Sequence, residues 1–247
     1  MNEKEVLFKV IATKSKDVEN FLQKLVCECE LTEKEEVLKE MLSLRYKIYI
    51  EELSWVEKNK FSNFEIEVDE FDSQDDIIHL GLFEGNEAVG YIRLLKHRYM
   101  INEISSFNKI IKSIKHIPQK REMESTRFCI SSKADRLTSF SRILVGLITV
   151  CVMNGVVSIT TLLESIVRLT AYRKGLPVLH TLGKGGINNL PVEIVSFSMS
   201  EDNLENIKSK NPKSLKDINS FKFEFFMDES VKFLSFKEIW QSIKGGK

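Results

Sequence analysis

Three arginines interrupt stretches that otherwise read as apolar, and the first of them must find an acid. Arg45 lies in Glu40–Trp55 (EMLSLRYKIYIEELSW), among Val37, Leu38, Met41, Leu42, Leu44, Ile48, Tyr49 and Leu53, which recur at helical spacing. It falls in the middle of that face, one turn before Tyr49. A guanidinium cannot shed its charge, so burial there demands a carboxylate partner. Two places can supply it: the acidic, aromatic-punctuated segment Phe64–Asp72 (FEIEVDEFD), with Asp69 and Asp72, and Glu124 in EMESTRFCIS. Arg93 shares a strand face with Val89, Tyr91 and Leu95, where a structural ion pair and a ligand contact suit it equally. Arg127 follows Glu124 by three residues on a segment that Met123, Phe128 and Ile130 mark as an interior strand. Residues three apart on a regular strand face opposite sides. Bringing Glu124 and Arg127 to one side requires a β-bulge between them, which also exposes a backbone N–H.

The elements that must hold these groups alternate between strand and helix. Val6–Ala12 reads as a strand and Lys16–Glu28 as a short helix. Thr32 and Glu35 form a capping box that starts the long helix carrying Arg45. Ile77–Phe83 and Ala88–Leu95 flank Glu84-Gly85-Asn86-Glu87, a hairpin signal. A short helix is expected near Phe107–Ile114, then the strand Glu122–Ser131. Phe140–Asn154 is a strongly apolar helix closed by Gly155, followed by strand Val156–Thr161, helix Leu162–Lys174 with Gly175 as its cap, and strands Pro177–Thr181 and Pro191–Met199. A strand at Phe221–Phe226 and a helix at Phe236–Ile243 end the chain. This order predicts an α/β (α+β-like) fold, a mixed twisted sheet flanked by helices on both faces.

Composition narrows the function. Lys and Arg equal Asp and Glu at 36 each in 247 residues, so no basic footprint points to nucleic acid. The start, MNEKEVLFKV, is too charged for a signal peptide, and Ile143–Met153 falls short of a membrane span. Cys27, Cys29, Cys129 and Cys151 show no zinc spacing, and His79, His97, His116 and His180 build no metal cluster, so no metal site is expected. A reduced, cytoplasmic home follows. No dinucleotide or P-loop glycine motif follows any strand. The glycines of GKGG (183, 185 and 186) are more in keeping with a flexible turn than with a phosphate cradle.

Taken together, Arg45-x3-Tyr49-x5-Trp55, Asp69-x-x-Asp72, Arg93 within GYIRLL, and Glu124-x-x-Arg127-Phe128 resemble the acyl-homoserine-lactone synthase (autoinducer synthase) family of the GNAT acyltransferase superfamily. The resemblance covers roughly residues 35–185, leaving an N-terminal extension of about 1–32 and a C-terminal elaboration of about 201–247 on one GNAT-like domain, 1–247. Tyr49 replaces the family's usual Phe and adds a hydroxyl to the substrate pocket. The resemblance implies acyl transfer from a phosphopantetheine thioester on acyl carrier protein to the amine of S-adenosylmethionine, then lactonisation and release of methylthioadenosine, giving a quorum-sensing signal. No cofactor is implied. Glu124 would be the base, its pKa raised by desolvation and lowered by Arg127 or Arg93, and the N–H freed by the bulge would serve the oxyanion. Asp69 and Asp72 would meet the cationic end of S-adenosylmethionine. Trp55 would meet the sulfonium or adenine, and Arg45 the carboxylate unless it locks the aspartates. Arg93, Tyr49 and Phe128 complete this substrate set.

An apolar wall for the acyl chain comes from Ile143, Leu144, Leu147, Ile148, Cys151 and Val152 with Val157, Ile159 and Thr161. By position Thr161 is similar to the family threonine linked to an acyl 3-oxo group, though a locally satisfied strand hydroxyl explains it equally well. Arg142, Arg168, Arg173, Lys174 and Lys184 are candidates for docking the acidic carrier protein. A GNAT-like N-acyltransferase, using acyl carrier protein or acyl-CoA with another amine such as an amino acid, is the alternative.

Overall fold

The computed structural model describes residues 6–104, 110, 121–187, 189–226 and 231–245. The chain forms two units, one of Met1–Arg93, Arg127–Ile143 and Asp217–Lys247, the other of Leu94–Thr126 and Leu144–Lys216.

In the first unit β1 (Val6–Thr13) pairs antiparallel with β2 (Ile77–Glu84), which turns through Gly85 (φ +67°) into β3 (Glu87–Leu95). The C-terminal strand Lys222–Phe226 pairs parallel to β1 on its other side, and Val231–Ser235 pairs antiparallel to that strand, so the sheet is mixed. Strand alternation sorts the side chains. Phe8 stacks on Phe223 with ring centroids 4.7 Å apart. Ile11, Phe83, Tyr91 and Phe226 join Phe21 and Leu25 of α1 (Ser15–Val26) and Leu38 and Met41 of α2 (Glu33–Arg45) in one buried cluster. Two glycines let helices approach the sheet. A Cβ at Gly81 would stand 2.7 Å from Met41 Cε, and one at Gly90 would stand 3.0 Å from Ile143 Cδ1. Gly90 also neighbours Leu82, the register partner of Phe8, so Ile143 packs on the face opposite α2.

The capping box at the start of α2 is formed: Thr32 N–H donates to Glu35 Oε2 at 2.7 Å, and Glu35 N–H donates back to Thr32 Oγ1. The helix does not continue in α form to Leu53. Tyr46–Glu52 is a π-helical turn, in which Leu53 N–H reaches back five residues to Ile48 O at 2.9 Å. The wider turn advances the side-chain register. Leu53, expected inward, is therefore 42% exposed, whereas Ile48 and Tyr49 are buried.

Strand pairing is mixed in the second unit too. The first half of β4 (Glu122–Ile130) runs parallel to β5 (Ser158–Glu164), which pairs antiparallel with β7 (Leu190–Ser198), itself paired antiparallel with β6 (Val178–Ile187). Helix α3 is the short Met100–Glu103, and α4 (Arg136–Met153) enters this unit at Leu144. Helix α4 begins four residues earlier than its apolar run because Asp135 caps it, accepting from the Leu137 and Thr138 N–H groups. It is long and apolar enough to cross a membrane, but 67% of it is buried within the protein, as in a core helix. α5 (Ser165–Arg173) ends at Gly175, whose φ of +103° only glycine adopts easily. The GKGG stretch belongs to strand β6 and not to a turn, and a Cβ on Gly185 would come within 2.9 Å of Ile110. Its glycine therefore serves close packing. Two elements have little signature in the sequence: the polar helix α6 (Glu201–Lys210), capped by Ser200 and held by Leu204 and Ile207, and the short final strand Val231–Ser235. Strand Lys222–Phe226 is β8, and α7 (Phe236–Gly245) ends the described chain. The helix expected near Phe107–Ile114 lies outside the described residues, apart from Ile110. Mixed strand pairing with helices packed against the strands matches the expected fold class.

Candidate functional site

Arg45, fully buried near the end of α2, is neutralised as its surroundings require, by acids brought in from the segment after the π turn. Its guanidinium donates to Asp72 through Nη1 at 2.8 Å and Nη2 at 2.9 Å, while Nε and Nη2 meet Glu67. Arg93 shares Asp72 through Nη1 at 2.6 Å and grips Asp69 with Nη1 at 2.6 Å and Nη2 at 2.9 Å. Arg127 completes the ring, with Nη2 3.0 Å from Glu67 Oε1 and 2.8 Å from Asp69 Oδ2. Three cations and three carboxylates thus alternate, and the charges cancel. The segment is pinned by its own backbone as well: Asp69 N–H donates to Asp72 Oδ2 at 2.8 Å, and Phe71 N–H to Asp69 Oδ1 at 2.9 Å.

Burial divides the ring into an inner and an outer part. The side chains of Arg45, Glu67, Asp72 and Arg93 are wholly covered, whereas Asp69 and Arg127 retain 17% and 16% exposure. Burial pushes the Asp72 carboxyl up, but Arg45 and Arg93 outweigh it and hold the group well below the usual carboxylate range. Burial works against the charge on Arg45 and Arg93 too, and the neighbouring acids reverse it, so both stay charged. Arg45 therefore locks the aspartates and does not face a ligand. Asp69 and Arg127 are the opposite charges this ring offers to the outside.

Beside them stands an aromatic step. The Arg127 guanidinium lies 5.4 Å from the Tyr49 ring centroid, and the Tyr49 and Trp55 rings are 6.1 Å apart. Trp55 is 38% exposed, and its N–H donates to Tyr49 O at 2.8 Å, so the π turn itself sets its position. The Tyr49 hydroxyl is not available to a pocket, contrary to expectation: it donates to the Phe128 carbonyl at 2.7 Å. That carbonyl follows the one irregular residue of β4, Arg127, whose φ of +54° is left-handed. The irregularity expected between Glu124 and Arg127 thus falls on Arg127 itself, and Tyr49 clamps it. Phe128 packs edge-on against Phe140 with centroids 5.2 Å apart.

In the second unit Glu124 is buried, and its Oε1 accepts the Ile101 N–H at 3.2 Å. Glu122, two residues earlier on the same face, is buried too and accepts the Thr160 hydroxyl. Burial, followed by the charges of Glu122 and Glu124, raises the Tyr99 phenol above its ordinary pKa, so two carboxylates attend one tyrosine. The strand register places Thr160 beside Glu124 and Thr161 beside Ser125. The threonine on the face of Glu124 is accordingly Thr160. Leu144, Leu147, Ile148 and Cys151 are all buried, as an apolar wall requires, and Thr161 is buried with them. Val157 is not part of such a wall, being 42% exposed. The proposed basic dock is partly cancelled: Arg168 Nε and Lys184 Nζ converge on Glu193 at 2.9 and 3.5 Å. In the first unit Arg142 faces Glu84 at 3.9 Å. Arg173 and Lys174 stand at the end of α5.

Sequence reasoning passed over two acids. Glu67 carried a usable signal, a second acid two residues before Asp69 in FEIEVDEFD, but only the fold shows that it bridges Arg45 and Arg127. Glu122 was legible from strand alternation with Glu124. Among the described residues no cluster of His, Cys, Asp or Glu is arranged to hold a metal ion.

Comparison with known proteins adds a family. Residues 28–207 match the family model described as autoinducer synthase. Among solved structures, BjaI, a CoA-dependent acyl-homoserine lactone synthase determined with MTA, aligns at 15% identity over 95% of this chain and 98% of its own, with a TM-score of 0.66. The AHL synthase LasI aligns at 19% identity over 73% and 90%, TM-score 0.62. TofI, in a ternary complex with an inhibitor and MTA, aligns at 18% identity over 72% and 92%, TM-score 0.61. No curated protein sequence matches.

Proposed function

This chain belongs to the autoinducer synthase family, acyltransferases that make acyl-homoserine lactones, and we propose that its amine substrate is S-adenosylmethionine and its acyl donor a thioester on acyl carrier protein. The carrying observation is the charge-balanced ring of Arg45, Arg93, Arg127, Glu67, Asp69 and Asp72, which leaves an acid, Asp69, and a cation, Arg127, at its outer edge. A zwitterion carrying an ammonium, a carboxylate and a sulfonium calls for both signs of charge and an aromatic face. Asp69, Arg127 and the Tyr49–Trp55 step provide them.

In this reading the ammonium gives up a proton to Glu124, directly or through water, and the free amine attacks the thioester carbonyl. The tetrahedral intermediate collapses with cleavage of the C–S bond, and the departing thiolate takes up a proton. The methionyl carboxylate then attacks its own γ-carbon, and methylthioadenosine leaves as the neutral thioether, closing the lactone. No cofactor enters, and both substrates place the reaction in the cytoplasm.

A second reading has acyl-CoA as donor. It is supported by the partial neutralisation of Arg168 and Lys184 by Glu193, which weakens the case for an acidic protein partner. One experiment separates the readings. The protein is incubated with S-adenosylmethionine and either acyl carrier protein thioesters or acyl-CoA, and products are identified by mass spectrometry. Acyl-homoserine lactone with equimolar methylthioadenosine from the carrier protein arm supports the proposal. Product from the CoA arm alone reassigns the donor. An N-acylated amino acid made without methylthioadenosine release would point instead to a GNAT-like N-acyltransferase.

A further inference from the structure

Behind Arg45 runs a chain of hydrogen bonds that the charge-balanced ring does not itself require. Arg45 Nη1 lies 3.4 Å from the Tyr91 hydroxyl and its guanidinium carbon 5.5 Å from that ring. The Tyr91 hydroxyl is 2.8 Å from His79 Nδ1, and His79 Nε2 is 3.2 Å from Thr13 Oγ1. All four residues are buried, and they come from four elements: β1, α2, β2 and β3.

Proton counting fixes the direction of this chain. A guanidinium only donates, so the Tyr91 oxygen accepts from Arg45 and turns its single proton toward His79. His79 Nδ1 must then be the acceptor, which leaves the proton on Nε2 to be donated to Thr13. The other tautomer would donate to Tyr91 as Arg45 does, leaving the phenolic proton aimed at neither of its neighbours in the chain. A protonated imidazole would also set a third cation beside Arg45 and Arg93. We propose that His79, held as its neutral Nε2–H tautomer, is a positioning residue for the amine-substrate site: through Tyr91 it fixes the rotation of Arg45 and so the placement of Asp69 and Arg127. Burial, opposed by Asp72 and Asp69 and reinforced by Arg45 and Arg93, holds its pKa down near 3, in keeping with a ring that stays neutral in use.

The test has a structural and a kinetic arm, and only the kinetic arm rests on S-adenosylmethionine being the substrate. In the ¹⁵N-labelled full chain, long-range imidazole spectra contain four histidines, and His79 is identified by its loss in His79→Asn. The expected result is an unprotonated Nδ1 and a protonated Nε2 that do not shift between about pH 5 and 8, where an unperturbed imidazole changes charge. In the kinetic arm His79→Asn, whose amide oxygen can still accept from Tyr91, keeps KM for S-adenosylmethionine within about threefold. His79→Leu and Tyr91→Phe each raise it by about tenfold with kcat less affected, and their double variant is no worse than either alone. An Nδ1–H tautomer, or a His79 that titrates within that range, overturns the proposal. So do variants that lower the thermal midpoint while leaving KM unchanged, which would make the chain a packing device only. A wild-type protein that consumes no S-adenosylmethionine would refute the proposed substrate, and the nitrogen shifts would still decide the relay.

Discussion

Glu67→Gln is the substitution that tests the charge-balanced ring most directly. Glu67 has no exposed side-chain surface and is shared between Arg45, which meets Oε2, and Arg127, which meets both oxygens. The amide keeps the shape but removes one of three negative charges, leaving three guanidiniums against Asp69 and Asp72. It also aims an NH2 group at one arginine, a donor facing a donor. Removing one partner of a buried ion pair costs about 3–5 kcal/mol, against a total stability of about 5–15 kcal/mol. In a chain of this size that lowers the thermal midpoint by roughly 6–20 °C. The assay is urea unfolding followed by fluorescence, with the midpoint expected to fall and the m-value unchanged. Glu65→Gln is the control, since Glu65 is exposed in the same segment, and it is expected to stay within about 0.5 kcal/mol of the parent. Equal midpoints for the two variants would refute the argument that Arg45 is held by burial and compensation together.

Three further outcomes follow from particular contacts. Tyr49→Phe removes the hydroxyl that clamps the Phe128 carbonyl but keeps the ring under Arg127, so it is expected to cost about 1 kcal/mol in unfolding experiments and to leave turnover within a few-fold. Gly175→Ala joins a backbone at φ +103° with a Cβ only 2.8 Å from the Asn206 carbonyl oxygen, and a loss of about 3 kcal/mol or more is expected. His79 gives a pH signature. Its pKa is held down to about 3, below the 6.5 of the unfolded chain, so below pH 6.5 the unfolded state binds the extra proton. Stability from this residue therefore falls as pH drops from about 6.5 toward 3, at up to about 1.4 kcal/mol per pH unit, and His79→Asn flattens that slope by about one proton. Asp72, also held down, contributes above its unfolded pKa and loses its part only in stronger acid, which keeps the two effects apart in a pH series of urea midpoints.

The need of Arg45 for an acid was readable from the sequence because helical periodicity places it among apolar neighbours, and Asp69 and Asp72 were within reach of that argument. Glu67 stands in the same acidic segment, but Ile66–Asp72 is no regular element, and in irregular backbone alternation does not tell which of its acids points at Arg45. The hairpin, the capping box and the strand through Glu124 and Arg127 carry local signals strong enough to survive folding. The π turn carries none: the apolar period runs on through Ile48 and Tyr49 as though the helix were regular, and the extra residue is absorbed where Tyr49 must reach Phe128. Helix α6 escaped for the opposite reason, since Leu204 and Ile207 are its only buried residues and the rest of it is polar. The register of β5 against β4 likewise decides between Thr160 and Thr161, which lie side by side in the sequence and on opposite faces of the strand.

The widened turn at Tyr46–Glu52 has a consequence for how this protein tolerates changes in length. Shortening it by one residue would let the helix relax into ordinary winding and gain regular backbone bonds, yet every side chain beyond the cut would swing by roughly a quarter turn. Tyr49 would lose its grip on the strand bearing Arg127, and Trp55 would leave its neighbour's ring. A chain more comfortable in its backbone would thus have dismantled the aromatic rim, and the excess residue is better seen as a wedge that keeps that rim set.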